Sequence, residues 1–150
     1  MATTARWLYP NRILYVETTE ILTIDEIKEG HRRHIEMMDA LRQVEPVHYI
    51  FDTTHMESGP TNFLEVQRAG RAFYRHPKLG WSVGVGESAI VRLVTTSIAK
   101  ILGLPYKPLA DIDGVISFFH ELHEDFQSMT VHDLTAHEIV YQIGSEVTTS

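Results

Sequence analysis

The fold of this chain is decided by one stretch, VHYIFDTTHMESGPTN at residues 47–62. Its first six residues are mostly apolar, β-branched or aromatic, which is typical of a central strand buried on both faces. The run ends at the carboxylate of Asp52, and a segment rich in hydroxyl groups follows. We therefore predict a buried strand that ends at Asp52, a polar loop over residues 51–62, and a helix capped by Thr61.

Strand and helix patterns alternate on both sides of this stretch. Before it, two short strands flank a turn at Pro10, and a helix begins at the capping-box pair Thr23 and Glu26. After it, two further strands alternate with helices, and the last of these strands contains Pro108, which predicts an edge position. The order β-β-α-β-α-β-α-β-α predicts one α/β domain with a mixed, mostly parallel sheet of about five strands and four helices, packed mainly on one side.

Composition narrows the class of protein. The chain has 150 residues, 43% of them hydrophobic, and no cysteine. Disulfides and thiolate metal sites are therefore excluded, and a cytoplasmic location is expected. The N-terminus lacks the apolar core of a signal peptide, and no apolar run is long enough for a membrane span. We expect a domain over residues 1–126 and an acidic extension over residues 127–150, either a docked element such as an added strand or short helix, or a partly frayed tail.

Charge is distributed unevenly along the chain. Residues 1–107 contain 13 basic and 12 acidic residues, whereas residues 108–150 contain none basic and 8 acidic. The net charge of −7 argues against nucleic acid as a partner. Four basic residues are spaced as a stripe on the second helix: Arg68, Arg71, Arg75 and Lys78. This stripe is either a solvated face or a docking site for an acidic partner or anion. The acidic C-terminal third is one candidate partner for this stripe.

The third helix, residues 89–102, is apolar nearly all the way round. A helix of this kind is either buried, covered by a partner, or part of the wall of a ligand site. These three alternatives stay open for the helix itself. For the protein we expect a homodimer, with binding of a hydrophobic small molecule as the alternative. The residues concerned are Ile90, Leu93, Val94, Ile98 and Ile101.

A glycine motif precedes this helix. The stretch VGVGESA fits G-x-G-x-x-A at Gly84, Gly86 and Ala89, between a strand and a helix, and Asp111 follows at about the spacing of a ribose-binding acid. Only one strand follows, however, and a dinucleotide fold needs more. The main interpretation is a tight turn capped by Ser88, with nucleotide binding at Gly84–Ser88 kept as an alternative. No cofactor is expected.

Catalytic and metal chemistry are not favoured by the remaining motifs. The pairs His31/His34 and His120/His123 each share a helix face, but neither forms H-E-x-x-H, and we expect packing and not a metal site. Ser58, His55 and Asp52 are triad residue types, but they lie within one loop, whereas triad partners normally converge from separate segments. We therefore predict no catalytic residue and no enzymatic activity.

Several of these stretches resemble the STAS domain of anti-anti-sigma factors. The family has a strand that ends in Asp, a loop with an Asp-Ser-Ser-Gly-like motif, and a helix, and here HYIFDTT, ESG and a helix follow in that order. The stretches HPKLGWSVGVGESAIVRLV and DIDGVISFFHEL are similar to the C-terminal half of the sporulation anti-anti-sigma-like branch. That branch shares its fold with lipid-binding CRAL-TRIO domains. The resemblance covers roughly residues 6–126.

The resemblance implies a small cytoplasmic regulatory module that binds a protein partner and is switched, in some members, by phosphorylation of a loop serine. Ser58 would be that serine, although Glu57 replaces the usual Asp and Pro60 follows Gly59. These departures favour a contact surface over a phosphoserine. The implied switch or partner-binding loop comprises Asp52, Thr53, Thr54, His55, Glu57, Ser58 and Thr61. Binding of a hydrophobic small molecule or lipid remains the alternative function.

Overall fold

The computed structural model describes residues 3–130 and 138–144. Within them, six strands form one sheet in the order β5-β4-β3-β2-β1-β6. Strands β2 to β5 are mutually parallel, while β1 runs antiparallel to both of its neighbours. The strands are β1 (Thr3–Tyr9), β2 (Ile13–Ile21), β3 (Val47–Ser58), β4 (Leu79–Val85), β5 (Tyr106–Leu109) and β6 (Ile139–Ile143).

Four helices in the described part of the chain cover the two faces of this sheet unequally: α1 (Ile24–Ala40), α2 (Phe63–Tyr74), α3 (Ala89–Leu102) and α4 (Ile112–Leu122). Met38 of α1 and Phe73 of α2 pack with Tyr49 on one face, where Ile98 of α3 is also buried. Phe119 of α4 packs with Ile50 on the other face. The predicted α/β domain with a mixed, mostly parallel sheet is confirmed, and β5 lies at an edge as Pro108 indicates.

The strand count differs from the predicted five because the C-terminal segment adds a strand. β6 pairs antiparallel with β1, so that Thr3 lies opposite Ile143 and Ala5 opposite Tyr141. Tyr141 and Ile143 are buried in the core on the α1 side. The segment from residue 127 onward thus contributes a docked strand, while its residues 131–137 and 145–150 lie outside the described residues.

Strand β3 is longer than predicted, and the expected loop is correspondingly short. β3 continues to Ser58, and its extension pairs with β2 through His55 opposite Thr19 and Ser58 opposite Ile21. The β-branched residues Thr53 and Thr54 suit a strand, and the long partner β2 supplies the hydrogen bonds. The apolar pattern stops at Asp52 because the extension is largely exposed.

Helix starts follow the capping chemistry of the sequence. Thr23 and Glu26 form the predicted capping box at α1: the Glu26 amide donates to Thr23 Oγ1 across 3.2 Å, and the Thr23 amide donates to Glu26 Oε1 across 2.9 Å. A cap of this kind stabilises a helix by about 1 kcal/mol. The predicted Thr61 cap of α2 is wrong by one position, because the Asn62 side chain accepts the Glu65 amide instead.

Candidate functional site

A cavity of about 170 Å³ lies between the sheet and helices α1, α2 and α3. Its lining is mostly apolar, with Val16 and Phe51 projecting from the sheet and Val66 from α2. Helix α3 contributes Val94 and Ile98 to the same lining. One of the three alternatives predicted for α3 was a wall of a hydrophobic ligand site. The structure has a cavity that α3 lines.

The apolar residues of α3 divide between two faces. Val94 and Ile98 face the cavity, and Ile98 is only 1% exposed. Ile90, Leu93 and Ile101 are 56%, 67% and 63% exposed, on the outside of the same helix. The five residues predicted as one interface therefore do not form one surface, because Ile98 is buried, Val94 faces the cavity, and the other three are exposed on the outer side.

One wall of the cavity carries a polar cluster centred on Glu87. The Tyr106 hydroxyl donates to Glu87 Oε1, and Thr95 Oγ1 lies 3.1 Å from Glu87 Oε2 and 2.9 Å from the Tyr106 hydroxyl oxygen. Burial and the hydrogen bond to Glu87 raise the pKa of Tyr106 well above its usual range. Burial and the Glu87 charge also raise the pKa of Tyr74, on α2, to about 12. All four side chains line the cavity.

Two histidines of α1 also line the cavity. The His31 ring stacks on Phe73 with centroids 4.4 Å apart, and its Nδ1 is buried without a hydrogen-bond partner. Burial lowers the pKa of His31 to about 4. His34 Nε2 lies 2.5 Å from the Tyr141 hydroxyl, and burial lowers the pKa of His34 well below its usual range. Both imidazoles are therefore neutral at pH 7.

The histidine pairs have structural partners. His120 Nε2 lies 2.8 Å from the Met129 carbonyl oxygen, and His123 Nδ1 accepts the Asp125 amide across 3.0 Å. Among residues 3–130 and 138–144, no cluster of three or more His, Asp or Glu side chains is arranged to hold a metal ion. His31 and His34 thus pack against Phe73 and contact Tyr141, and His120 and His123 make hydrogen bonds with the backbone.

The glycines of the VGVGESA motif serve the packing of the protein itself. A Cβ at Gly84 would lie 2.5 Å from the Glu87 carboxyl carbon, and Gly86 has φ +66° with Thr54 Oγ1 2.2 Å from its Cβ position. Ser88 caps α3 by accepting the Val91 amide across 3.2 Å. A carboxylate over Gly84 would repel a phosphate, so the geometry favours the capped turn over nucleotide binding. Asp111 caps α4.

The predicted switch-loop residues occupy different environments. Asp52 is 6% exposed and buried on the α4 side, whereas Thr54, His55, Glu57, Ser58 and Thr61 are exposed and Thr53 is half-buried. In the described residues no hydrogen bond joins His55 to Asp52 or Ser58, so the structure assembles no triad. Several of these residues instead line a more polar recess of about 360 Å³ with the start of α3: Thr53, Thr54, Glu57, Ser58, Thr61 and Ile90.

The basic stripe predicted on α2 is shorter than expected. Arg68 and Arg71 are exposed on the helix, and Arg75 is its exposed C-cap. Lys78 lies beyond the helix end, and its Nζ donates to the carbonyls of Met38, across 3.1 Å, and Leu41 at the end of α1. The acidic C-terminal third makes an ion pair elsewhere, between Asp125 and Arg12 across 3.1 Å.

Sequence reasoning did not single out the polar residues of the cavity. Glu87, Thr95, Tyr106 and Tyr74 come from four separate segments, and nothing in their spacing predicts that they meet. The one available signal was Glu87 itself, a carboxylate inside the glycine-rich turn between a buried strand and an apolar helix.

Across the described residues, none of the helices combines the length and hydropathy needed for a transmembrane span.

No protein-family model and no curated protein matches the sequence. Among solved structures, the chain is similar to an uncharacterised protein of the DUF3478 family from Shewanella loihica, described as having a SpoIIAA-like fold. The TM-score is 0.56 at 12% identity, over 78% of this chain and 91% of that chain. A structural match at this level of sequence identity shows the fold alone. The chain therefore has a SpoIIAA-like, STAS-like fold, as the sequence resemblance implied.

Proposed function

We propose that this protein is a non-enzymatic binding module that holds a small hydrophobic molecule in the cavity between the sheet and helices α1 to α3. The observation that carries this proposal is the apolar cavity of about 170 Å³. For scale, an engineered protein cavity of about 150 Å³ lined by Leu, Ile and Phe stays dry and binds benzene. The cavity therefore has room for one ring with a small substituent.

The cavity is also costly to leave without a ligand. Protein interiors pack as densely as organic crystals, and apolar surface left in contact with water costs about 25 cal/mol per Å². Val66 on α2 and Val91 and Val94 on α3 line the cavity and are only half-buried, in a part of the chain where larger apolar residues would fill the space. A bound apolar molecule would remove this surface from water, which favours a ligand as the reason for the cavity.

Two uncharged ring-sized probes, toluene and benzyl alcohol, test this function. In a ¹⁵N–¹H NMR titration we expect saturable shifts of the amides around Phe51, Val66 and Val94. The variant Val94→Phe fills the cavity and should abolish them. Val44→Phe is the matched control, because Val44 is 94% exposed and is not part of the cavity lining. The proposal fails if neither probe shifts these amides in the unsubstituted protein.

A second candidate function, docking of a protein, is favoured by the outer face of α3. Ile90, Leu93 and Ile101 are more than half exposed, and Ile90 also lines the recess formed by the predicted switch-loop residues. Exposed apolar patches of this kind mark interaction sites. We take a second copy of this chain as the occupant, because soluble oligomers most often pair one patch with itself about a two-fold axis.

The mass of the protein in solution tests this second function. Light scattering after size exclusion should give a dimer for the unsubstituted chain and a monomer with unchanged circular dichroism for Leu93→Asp. Val44→Asp, at an exposed residue far from α3 in sequence, should remain a dimer. A monomeric unsubstituted chain would contradict self-association through α3.

A further inference from the structure

The lining of the apolar cavity carries charge of one sign only. Its acidic members are Glu26 and Glu87, and no Lys or Arg of the described residues lines it. Glu26 is engaged in the α1 capping box, where it accepts from the backbone and hydroxyl of Thr23. The two histidines in the lining are neutral at pH 7, because burial lowers the pKa of both. Within the lining, the only charge at the polar wall is therefore the carboxylate of Glu87, while Arg92, the cation that acts on Tyr106, lies outside the lining.

We infer that this cavity takes an uncharged or cationic single-ring molecule that carries an O–H or N–H donor, that the donor is placed on Glu87, and that carboxylates are rejected. The inference rests on the proposed function and adds to it the chemical class of the ligand and the residue that selects it.

The carboxylate of Glu87 has more hydrogen-bond acceptor sites than its protein partners use. A carboxylate offers about four acceptor sites. The Tyr106 hydroxyl occupies one at Oε1, and Thr95 Oγ1 lies within hydrogen-bond distance of Oε2. About two of these sites therefore have no protein partner among the described residues, and Glu87 lines the cavity. Since a carboxylate accepts and does not donate, the group placed there by a ligand must be a donor.

Glu87 is also held firmly in place. Tyr106 is anchored in β5, Thr95 lies in the second turn of α3, and the carboxylate lies over Gly84 of β4. A donor on a ligand thus meets an acceptor whose position is already fixed, so little conformational entropy is lost on binding. A hydrogen bond to a charged acceptor is also stronger than one to a neutral group.

The imidazole side of the cavity adds no charge to this balance and is incompletely hydrogen-bonded. The Nδ1 atom of His31 is buried with no hydrogen-bond partner, which is rare for a buried polar atom. The polar groups around this cavity are therefore incompletely satisfied by the protein. A neutral imidazole adds no positive charge that would attract an anion, so nothing in the lining offsets the repulsion between Glu87 and a ligand carboxylate.

Four probes of similar size separate these properties: toluene, benzyl alcohol, benzylamine and benzoate. In ¹⁵N–¹H NMR titrations we expect benzyl alcohol and benzylamine to bind roughly ten-fold more tightly than toluene, which corresponds to about 1.4 kcal/mol. We expect no saturable binding of benzoate. The variant Glu87→Gln keeps an acceptor oxygen but loses the charge. It should keep benzyl alcohol, weaken benzylamine several-fold and admit benzoate.

Glu57→Gln is the matched control, because Glu57 is an exposed carboxylate outside this cavity and its loss should leave the rank order unchanged. Equal binding of toluene and the two donors, or binding of benzoate to the unsubstituted protein, overturns the inference while leaving the proposed function intact. If none of the four probes binds, the proposed function itself fails. Should Glu87→Gln not fold, the rank order of the four probes on the unsubstituted protein still decides.

Discussion

The phenol of Tyr15 donates a hydrogen bond of 2.5 Å to Oδ2 of Asp52, across the neighbouring parallel strands β2 and β3. Both residues are buried, and Asp52 Oδ1 also accepts the amide and hydroxyl of Thr54 across 2.9 and 2.6 Å. Burial and the bond to Asp52 raise the pKa of Tyr15 well above its usual range. Asp52 therefore acts as part of the core on the α4 side, not as an exposed loop acid.

Replacing Asp52 is therefore expected to destabilise the fold. Asp52→Ala leaves the buried hydroxyl of Tyr15 without its acceptor and should lower the free energy of unfolding by about 2–3 kcal/mol. Tyr15→Phe removes the donor alone and should cost about 1 kcal/mol, since Thr54 still satisfies the carboxylate. Urea denaturation of both variants and the double variant measures the coupling. The double variant should be more stable than the sum of the two single losses predicts.

Ligand binding provides the control for this pair. Asp52 and Tyr15 do not line the cavity, so benzyl alcohol should bind Tyr15→Phe as it binds the unsubstituted protein. If the loss of unfolding free energy in the double variant equals the sum of the losses in Asp52→Ala and Tyr15→Phe, the two side chains do not interact as the structure places them.

The alternation of strands and helices could be predicted because it depends on local patterns. The apolar run at residues 47–52 and the capping pair Thr23 and Glu26 each carry their signal within a few residues. The extension of β3 to Ser58 and the strand β6 could not be assigned with the same clarity. Both depend on hydrogen bonds to partner strands distant in sequence, β2 and β1, and the exposed residues of a paired strand need not be apolar.

The cavity was predictable only in part. The apolar circumference of α3 indicated that one side faces something other than the ordinary core. Which side faces inward depends on how α3 packs over β4 and β5. The spacing of residues along the helix does not indicate this packing. The meeting of Glu87 with Tyr106 is likewise a product of the parallel pairing of β4 with β5. The sequence thus indicated a candidate wall and left its polar residues unassigned.

Buried histidines make the stability depend on acid pH. Burial lowers the pKa of His31 and of His48 from 6.5 to about 4. Below pH 6.5 these histidines therefore bind protons in the unfolded chain but not in the folded chain. The free energy of unfolding consequently decreases as the pH falls from 6.5 towards 4. Each such histidine contributes up to about 1.4 kcal/mol per pH unit within this window.

The variant His31→Leu should reduce this slope. It removes one titrating group and places an apolar side chain beside Phe73, where the His31 ring now stacks. Urea denaturation at several pH values between 4 and 7 measures the slope. His55→Gln, at an exposed histidine, should leave it unchanged. An unchanged slope in His31→Leu would contradict a buried, neutral imidazole at this position.

Lys78 provides the positive charge that helix α1 lacks at its own C-terminus. The last turn of α1 contains no basic residue, and Lys78 Nζ donates to the carbonyls of Met38 and Leu41 there. Cations at a helix C-terminus stabilise it by about 0.3–1 kcal/mol, and by up to about 2 when partly buried. Lys78→Met should therefore lower the free energy of unfolding by about 1–2 kcal/mol in urea. Lys107→Met, at an exposed lysine on β5 and away from any helix end, should have little effect.

Two glycines with the same backbone conformation should respond differently to alanine. Gly86 and Gly103 both have φ +66°, where an L side chain costs about 1–2 kcal/mol. A Cβ at Gly103 meets nothing within 4 Å, so Gly103→Ala should cost only that amount. A Cβ at Gly86 would lie 2.2 Å from Thr54 Oγ1 and 2.8 Å from Thr54 Cα, so Gly86→Ala must also displace β3. Overpacking of this kind adds about 1–3 kcal/mol.

Thr54→Ala separates the two contributions at Gly86. In that background the hydroxyl contact disappears while the contact with the Cα of residue 54 remains, so Gly86→Ala should be less costly than in the unsubstituted chain but still more costly than Gly103→Ala. Thermal and urea unfolding of the four variants measure these differences. Equal losses for Gly86→Ala and Gly103→Ala would mean that the turn before α3 does not lie against β3. In that case the glycine motif would need another explanation, and close approach of a ligand to this turn would again be the first to test.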